Sequence, residues 1–236
     1  MSGGLNCYPG SDVLINNYNI RDKELLEKLE TQKVMVKLLS LDTKLERIIY
    51  TYDKSHLINI HKFLFGDIYS WAGNFRRENL FKSERVLSGG SAEYADYNDI
   101  DRKLEVFFSK YSKVKWINTS NLNRIILDFL LELWSIHPFR EGNTRTCITF
   151  LWHYLKGRGV NFKVALLRNS PMYVRDSLVM ANYDQKEYLE KIICDALNDV
   201  TNNMTHKAVE GNISEEYKIA KKDYEAFRKK YSISKE

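Results

Sequence analysis

Apolar and polar residues recur along this chain with the period of an α-helix, and few turn signals interrupt them. Helices are predicted over residues 21–38, 53–74, 91–111, 119–136, about 143–155, 172–183, 184–198 and 214 to about 230. The stretch 119–136 has a broad apolar face, which indicates a central helix surrounded by others. Residues 75–90 mix polar and apolar positions, end in two glycines and suit a short hairpin. The pattern predicts an all-α bundle with one short β-hairpin.

The first two helices have predictable faces and ends. The apolar side of the first helix is predicted to comprise Leu25, Leu26, Leu29 and Val34 to Leu38. In the second helix, Asp53 to Ser55 supply candidate N-caps, and Ala72 to Asn74, with a central glycine, is typical of a C-terminus. Pro138 is predicted to end the central helix, because the residue before a proline is disfavoured in the α region.

Composition agrees with a folded helical protein. The chain has 236 residues, 44% hydrophobic and 28% charged, with only 3 prolines and 11 glycines. These values exclude wholesale disorder and fit one domain, or one domain with an appendage. The 36 Lys and Arg residues exceed the 31 Asp and Glu residues by a net charge of +5, which is weak support for nucleic acid as a partner, and none is expected.

The chain carries no signal for a membrane or an oxidising compartment. No apolar run approaches the ~18 residues of a membrane span, and the N-terminus has neither the apolar core nor the basic leader of a signal peptide. Cys7, Cys147 and Cys194 lack the paired spacing of a disulfide framework or a zinc site. We therefore expect a reduced, cytoplasmic protein with no membrane partner.

The connection between the two most apolar helices, residues 137–145, is dense in chemistry. It contains a candidate base, His137, and a hard oxygen ligand, Glu141. Gly142 to Thr144 fall where the next helix begins, and the N–H groups of a helix N-terminus bind phosphate, for which Arg145 adds a charged fork. These features fit phosphoryl or nucleotidyl transfer. On spacing alone, a tight structural turn with solvated charges fits equally well.

The stretch HPFREGNTRT resembles the Fic family motif, HPFx(D/E)GNGRxxR, in register over its first nine positions except one. The upstream segment from Phe65 to Arg76 resembles the family's FGDIYxWAGxxR. The N-terminal YPGSDVL is similar to bacterial Fic proteins described as cell filamentation proteins. The resemblance covers roughly residues 8–200, and implies a Fic domain over residues 1–200 followed by a C-terminal helical extension over residues 201–236.

This resemblance implies a protein adenylyltransferase. Most Fic proteins transfer AMP from ATP–Mg²⁺ to a Ser, Thr or Tyr hydroxyl of a target protein and release pyrophosphate. By position, His137 would be the general base and Glu141 the Mg²⁺ ligand. The residues that would hold the nucleotide phosphates are Gly142, Asn143, Thr144 and Arg145. Some single-domain relatives form homo-oligomers, so the resemblance leaves a homo-oligomer open.

The family's β-hairpin flap would fall near residues 79–86. Leu80 or Phe81 would then clamp the backbone of the target protein beside the phosphate. The alternative for this stretch is an ordinary surface loop.

Two positions depart from the motif. Thr144 replaces a glycine, and the same position is usually lysine in Doc-type relatives, which phosphorylate their targets. Ile148 stands where the second motif arginine binds the γ-phosphate. Isoleucine cannot do this, so three alternatives remain open: a Doc-like phosphotransferase, a Fic protein with another phosphate-containing donor, and a nucleotide-binding or interaction module with weak catalysis.

Many Fic proteins also carry an inhibitory motif, (S/T)xxxE(G/N), whose glutamate pairs with the second arginine. The best match here ends in Glu210, but His206 stands in place of Ser or Thr and position 148 offers no arginine. A capped, solvated C-terminal helix is the favoured interpretation of this segment. The other histidines, His56, His61 and His153, show no metal-ligand pattern and are predicted to be surface or packing residues.

Overall fold

The computed structural model describes residues 4–43 and 47–198 of the chain. Helices dominate this part, as predicted, and no regular strand occurs within it. The α-helices are α1 (Lys23–Asp42), α2 (Lys54–Phe65), α3 (Ile100–Ser112), α4 (Leu122–Ile136), α5 (Asn143–Gly157), α6 (Val164–Arg168), α7 (Pro171–Ala181) and α8 (Glu187–Asn198). The helix predicted at 214–230 lies outside the described residues.

Local chemistry explains where several helices begin. Asp22 caps α1 by accepting from the backbone N–H of Leu25 at 2.8 Å. Asp53 caps α2 in the same way, accepting from the N–H of His56 at 3.1 Å, which confirms the predicted cap. Helix α4 ends at Ile136, two residues before Pro138, as the sequence predicts.

The predicted end of the second helix is wrong. Helix α2 stops at Phe65, and the segment 66–74 forms tight turns instead. The N–H groups of Ile68 and Tyr69 both bond to the carbonyl of Phe65 at 2.9 Å, which turns the chain sharply. This turn buries both Phe65 and Ile68 completely, so packing of the turn competes successfully with continuation of the helix. The glycine signal at Gly73, where φ is +89°, belongs to the last of these turns.

The predicted apolar side of α1 is also wrong in part. The buried residues of α1 are Leu26, Glu30, Val34 and Leu41, spaced along one face. Leu25, Met35 and Val36 are more than half exposed. Apolar residues occur around most of this helix, so their positions alone do not decide which face is buried. A glutamate is part of the buried face, which the apolar pattern cannot predict.

The described residues form two compact units. The first contains residues 4–43, 47–80, 95–112 and 136–150, and the second contains residues 81–94, 113–135 and 151–198. In the first unit α1 packs on α2, around fully buried side chains that include Leu57, Phe65, Phe139 and Phe150. In the second unit α6, α7 and α8 pack together, and Trp116, Phe129 and Tyr154 form an aromatic cluster.

None of the helices in the described part of the chain is long and apolar enough to cross a membrane.

Candidate active site

The loop between α4 and α5 lies in the first unit and starts at His137. This residue is fully buried and has a positive φ of +50°, an unusual conformation for a residue with a side chain. A sparsely allowed backbone persists only where surrounding contacts hold it. Contacts from surrounding residues are therefore expected to hold the backbone of the candidate base.

Arg76 provides those contacts. Its guanidinium is buried, and Nε donates to the carbonyl of His137 at 2.8 Å while Nη2 donates to the carbonyl of Ala95. The backbone N–H of Arg76 donates to the carbonyl of Pro138 at 2.9 Å. The sequence places Arg76 at the end of the family's upstream segment, but its partners are visible only in the structure.

His61 supports the loop from α2. Its imidazole stacks on the ring of Phe139 at 3.8 Å, and its Nδ1 accepts from the N–H of Gly73 at 2.8 Å. Nε2 therefore carries the proton and donates to the carbonyl of Glu141 at 3.1 Å. Burial lowers the pKa of His61 to about 4, so the ring is neutral. The packing role predicted for His61 is present, together with a hydrogen bond that the sequence does not reveal.

Asn143 closes the loop on itself. Its Nδ2 donates to the carbonyl of Phe139 at 2.7 Å, and its Oδ1 accepts from the N–H of the same residue at 2.9 Å. The Asn143 side chain is thus engaged in the turn. A phosphate at this position would meet the backbone N–H of Asn143 rather than its amide.

Gly142 adopts a conformation that requires glycine. Its φ is +75°, and a Cβ at this position would lie 2.3 Å from Cζ of Phe65. Its N–H donates to Oε1 of Glu141 at 2.8 Å. The carboxylate of Glu141 therefore lies directly at the start of α5, with 30% of its side chain exposed.

The residues predicted to hold an anion fall in the first turn of α5. The first N–H groups of a helix have no partner within the helix, and here they belong to a turn in which Thr144 and Arg145 are partly exposed. Nη2 of Arg145 lies 2.5 Å from Oε1 of Glu30 and 3.9 Å from Oε1 of Glu141. Glu30, on the buried face of α1, is a further site residue that sequence reasoning missed.

Ile148 lies one turn further along α5 and is only 5% exposed. The position that carries the second arginine in the motif is thus filled by a buried apolar side chain. Arg145 is the one motif arginine that this loop and helix present.

The predicted Mg²⁺ ligand, Glu141, is a single partly exposed carboxylate. Within the described residues, no group of three or more His, Cys, Asp or Glu side chains is arranged to bind a metal. Mg²⁺ is commonly bound through one or two carboxylates plus substrate phosphates and water. The partly exposed carboxylate of Glu141, at the start of α5, is compatible with this mode of binding.

The candidate flap begins at Leu80, which is half-buried in the first unit, and continues at Phe81, which is 76% exposed in the second. The chain then reverses through an antiparallel bridge between Ser83 and Ser91 and a 3-10 turn at Arg85–Leu87. The predicted hairpin is therefore a reversal with a single bridge pair.

Two ion pairs fasten this reversal to α7 within the second unit. Nη2 of Arg175 lies 2.6 Å from Oε1 of Glu84, and Nε of Arg85 donates to Oδ2 of Asp176 at 2.7 Å. The side chains of both acids are only 3% exposed. Adjacent residues of opposite charge thus bind adjacent residues of α7. The predicted inhibitory residue, Glu210, lies outside the described residues.

Comparison with known proteins identifies relatives of this chain. The model of the Fic/DOC family matches residues 51–155. Protein adenylyltransferase VbhT of Bartonella schoenbuchensis is 27% identical over 154 residues, which are 64% of this chain and 30% of that protein. The probable protein adenylyltransferase y4lH of Sinorhizobium fredii is 30% identical over 151 residues, which are 61% of this chain and 71% of that protein.

Among solved structures, BepC of Bartonella tribocorum, a VirB-translocated effector with bound AMPPNP, matches with a TM-score of 0.67. Its sequence is 21% identical, and the match covers 81% of this chain and 95% of that chain. At this identity the likeness shows the fold. The chain spans less than a third of the length of VbhT.

Proposed function

The chain belongs to the Fic/DOC family, and from this we propose that it is a protein adenylyltransferase. It would transfer AMP from a nucleoside triphosphate, ATP in the first place, to a Ser, Thr or Tyr hydroxyl of a target protein. The observation that supports this best is the loop 137–142. There a buried histidine with a constrained backbone precedes a glycine-initiated helix N-terminus that bears a carboxylate. That arrangement combines a base with an anion site.

His137 is proposed to act as the general base. It accepts the proton of the target hydroxyl as that oxygen attacks the α-phosphorus, and the bond to the departing pyrophosphate breaks. A positioned base of this kind contributes about 10²- to 10⁴-fold to a rate. The hydrogen bond from Arg76 to the His137 carbonyl holds the base in its buried position.

The phosphates are proposed to lie against the first turn of α5. Gly142 leaves room for close approach of the backbone, and the backbone N–H groups at the start of α5 would donate to an anion, as at other helix N-termini. Arg145 adds a guanidinium. Glu141 would hold Mg²⁺, which supplies charge neutralisation on the phosphates when it is bound. The proposed target-docking residues are Leu80 and Phe81, of which Phe81 has the exposure that docking needs.

A Doc-like phosphate transfer, or use of another donor, is the second candidate. The buried Ile148 favours it, because the γ-phosphate loses the partner that the second motif arginine supplies elsewhere in the family. Thr144 adds a side chain to the anion site, where the motif has glycine. If neither reaction occurs, the domain would act as a nucleotide-binding or interaction module.

We further propose a cytoplasmic bacterial protein whose Fic domain comprises residues 1–200, with residues 201–236 as an extension. Cys7, Cys147 and Cys194 lack the paired spacing of a disulfide framework, which supports a reducing compartment. A homo-oligomer and inhibition by Glu210 remain open predictions.

The decisive experiment supplies the purified chain with α-labelled ATP, GTP, UTP or CTP and Mg²⁺, with and without bacterial lysate. Labelled protein that disappears with His137→Ala is the expected result. The intact mass of the modified target separates nucleotide transfer from phosphate transfer. Absence of His137-dependent modification with every donor would overturn the proposal. Calorimetric nucleotide binding without turnover would then support the binding module.

A further inference from the structure

Glu30 is a buried acid on α1 whose two carboxylate oxygens each have a partner. Oε1 accepts from Nη2 of Arg145 at 2.5 Å, and Oε2 accepts from the hydroxyl of Tyr69 at 2.5 Å. Its side chain is only 10% exposed. Buried carboxylates are costly unless they are paired and hydrogen-bonded, and this one is paired on both sides. The carboxylate is therefore held in one place.

Tyr69 is a dependable donor in this arrangement. Its side chain is buried, and burial together with the charge of Glu30 raises the pKa of its hydroxyl. The phenol therefore keeps its proton and donates it to Glu30. Glu30 lies on α1 and Tyr69 lies in the turn that follows α2. The bond therefore joins α1 to this turn, beside the packed pair of helices α1 and α2 in the first unit.

The pair determines how Arg145 is presented. Nη2 is occupied by Glu30, and the guanidinium carbon lies 4.9 Å above the centre of the Phe65 ring. Within the described part of the chain, Nε and Nη1 of Arg145 make no hydrogen bond. One edge of the guanidinium is thus anchored while the other stays available. An arginine ordered in advance loses less conformational freedom when it binds an oxyanion.

We propose that Glu30, held by Tyr69, is a positioning residue that orients Arg145 toward the phosphates of the bound nucleotide. This role rests on the proposed function. The orientation of Arg145 matters more in this chain because Ile148 replaces the second motif arginine, which leaves Arg145 as the motif arginine that can contact the phosphates. In this role Glu30 acts through Arg145 and not on the nucleotide, because a carboxylate has no donor to offer the phosphate oxygens.

The test measures order and binding separately. The order parameter of the Arg145 Nε–H bond, obtained by ¹⁵N relaxation, should fall in Glu30→Gln and change little in Glu27→Gln, an exposed acid on the same helix. The dissociation constant for Mg²⁺–AMPPNP, measured by calorimetry, should rise about tenfold in Glu30→Gln. In an Arg145→Ala background, Glu30→Gln should have no further effect. Tyr69→Phe provides a milder variant, with a rise of about threefold.

Four outcomes would contradict the positioning role of Glu30 or the proposed function. Unchanged Arg145 order in both Glu30→Gln and Tyr69→Phe would overturn the proposal, and so would tighter nucleotide binding, which would make Glu30 a competitor of the phosphates. An effect of Glu30→Gln that persists in the Arg145→Ala background would assign Glu30 a merely structural role. If the native chain bound no nucleotide while Arg145 lost order in Glu30→Gln, the contact would stand and the proposed function would fail.

Discussion

The Nε atom of Arg76 donates a 2.8 Å hydrogen bond to the carbonyl oxygen of His137, across 61 positions of sequence. The same guanidinium binds the carbonyl of Ala95, and Nη1 donates to the carbonyl of Glu78 at 2.7 Å. One buried side chain thus satisfies three separated backbone segments. This contact helps to hold the positive-φ conformation of His137, together with the bonds that His61 and Asn143 make to the loop.

Arg76→Met should destabilise the protein by about 3 kcal/mol, because it leaves buried carbonyls without their donor. Arg76→Lys should recover only part of this loss, since lysine keeps the charge but lacks the planar fork. Arg77→Met, at the exposed neighbouring arginine, is the matched control and should change little. Urea unfolding measures the free energy of unfolding of all three variants. Equal effects of Arg76→Met and Arg77→Met would contradict the anchoring role.

Gly142→Ala should cost more than about 3 kcal/mol. It combines a positive φ with a Cβ placed 2.3 Å from Phe65 Cζ. Gly10→Ala separates the two causes, because Gly10 has a φ of +71° and no atom within 4 Å of the added Cβ. That variant should lose only about 1 kcal/mol. Thermal unfolding gives the loss of stability of both variants. Similar losses at the two glycines would show that Phe65 moves away from the added Cβ at little cost.

Acid should destabilise the fold through two buried histidines. Burial lowers the pKa of both His61 and His56 to about 4. Above pH 6.5 each is neutral in both states. As the pH falls from 6.5 to 4, these histidines bind protons in the unfolded chain but stay neutral in the folded chain. Stability therefore decreases through this window, by up to about 3 kcal/mol for His61, and the loss levels off below pH 4.

The measurement is the urea midpoint between pH 7.5 and 4. His61→Gln lowers stability at neutral pH but should reduce the dependence on pH by about one proton. The double variant His56→Gln with His61→Gln should reduce the pH dependence of stability by about two protons. Glu141 and Arg145 face His61 and oppose each other, so their charges alter the pKa less than burial does. An unchanged slope in His61→Gln would show that His61 has the same pKa in the folded and the unfolded state, which contradicts the lowered pKa.

Ile148→Arg should raise ATP-dependent labelling about tenfold by restoring the second motif arginine. Because position 148 is 5% exposed, the variant should also lose about 2 kcal/mol of stability without nucleotide, and Mg²⁺–ATP should restore part of it. Ile148→Met keeps the site apolar and serves as the control. Labelling rates and melting temperatures with and without ATP are the readouts. Labelling that stays unchanged would mean that this site does not hold ATP in the usual family pose.

The ion pairs beneath the candidate flap can be tested by charge exchange. Arg175→Glu should cost about 3 kcal/mol, because it leaves the buried Glu84 without its partner. The double variant Glu84→Arg with Arg175→Glu should recover part of the loss. Asp12→Lys, which breaks the exposed pair with Lys23, should cost less than about 1 kcal/mol. The rate of amide hydrogen exchange over residues 81–94 should rise in Arg175→Glu. An unchanged rate would show that the ion pair does not hold this segment against α7.

Features that depend on residues close together in the chain could be predicted before the fold was known. Asp53 caps α2 because its side chain reaches an N–H three positions away, and Pro138 limits α4 because it restricts the residue before it. The helical class follows from the spacing of apolar residues. The loop 137–145 is recognisable for the same reason, since its chemistry lies within nine consecutive positions.

Contacts between residues far apart in the chain could not be predicted and become visible in the fold. Glu30 and Arg145 are 115 positions apart, and whether a charged residue on a partly apolar helix faces solvent or the core depends on what packs against that helix. The same holds for Arg76 with His137 and for His61 with Glu141. It also holds for the end of α2, where burial of Phe65 and Ile68 outweighs helix continuation. Local preferences are worth tenths of a kcal/mol per residue, whereas burying or pairing such groups is worth several, so packing decides.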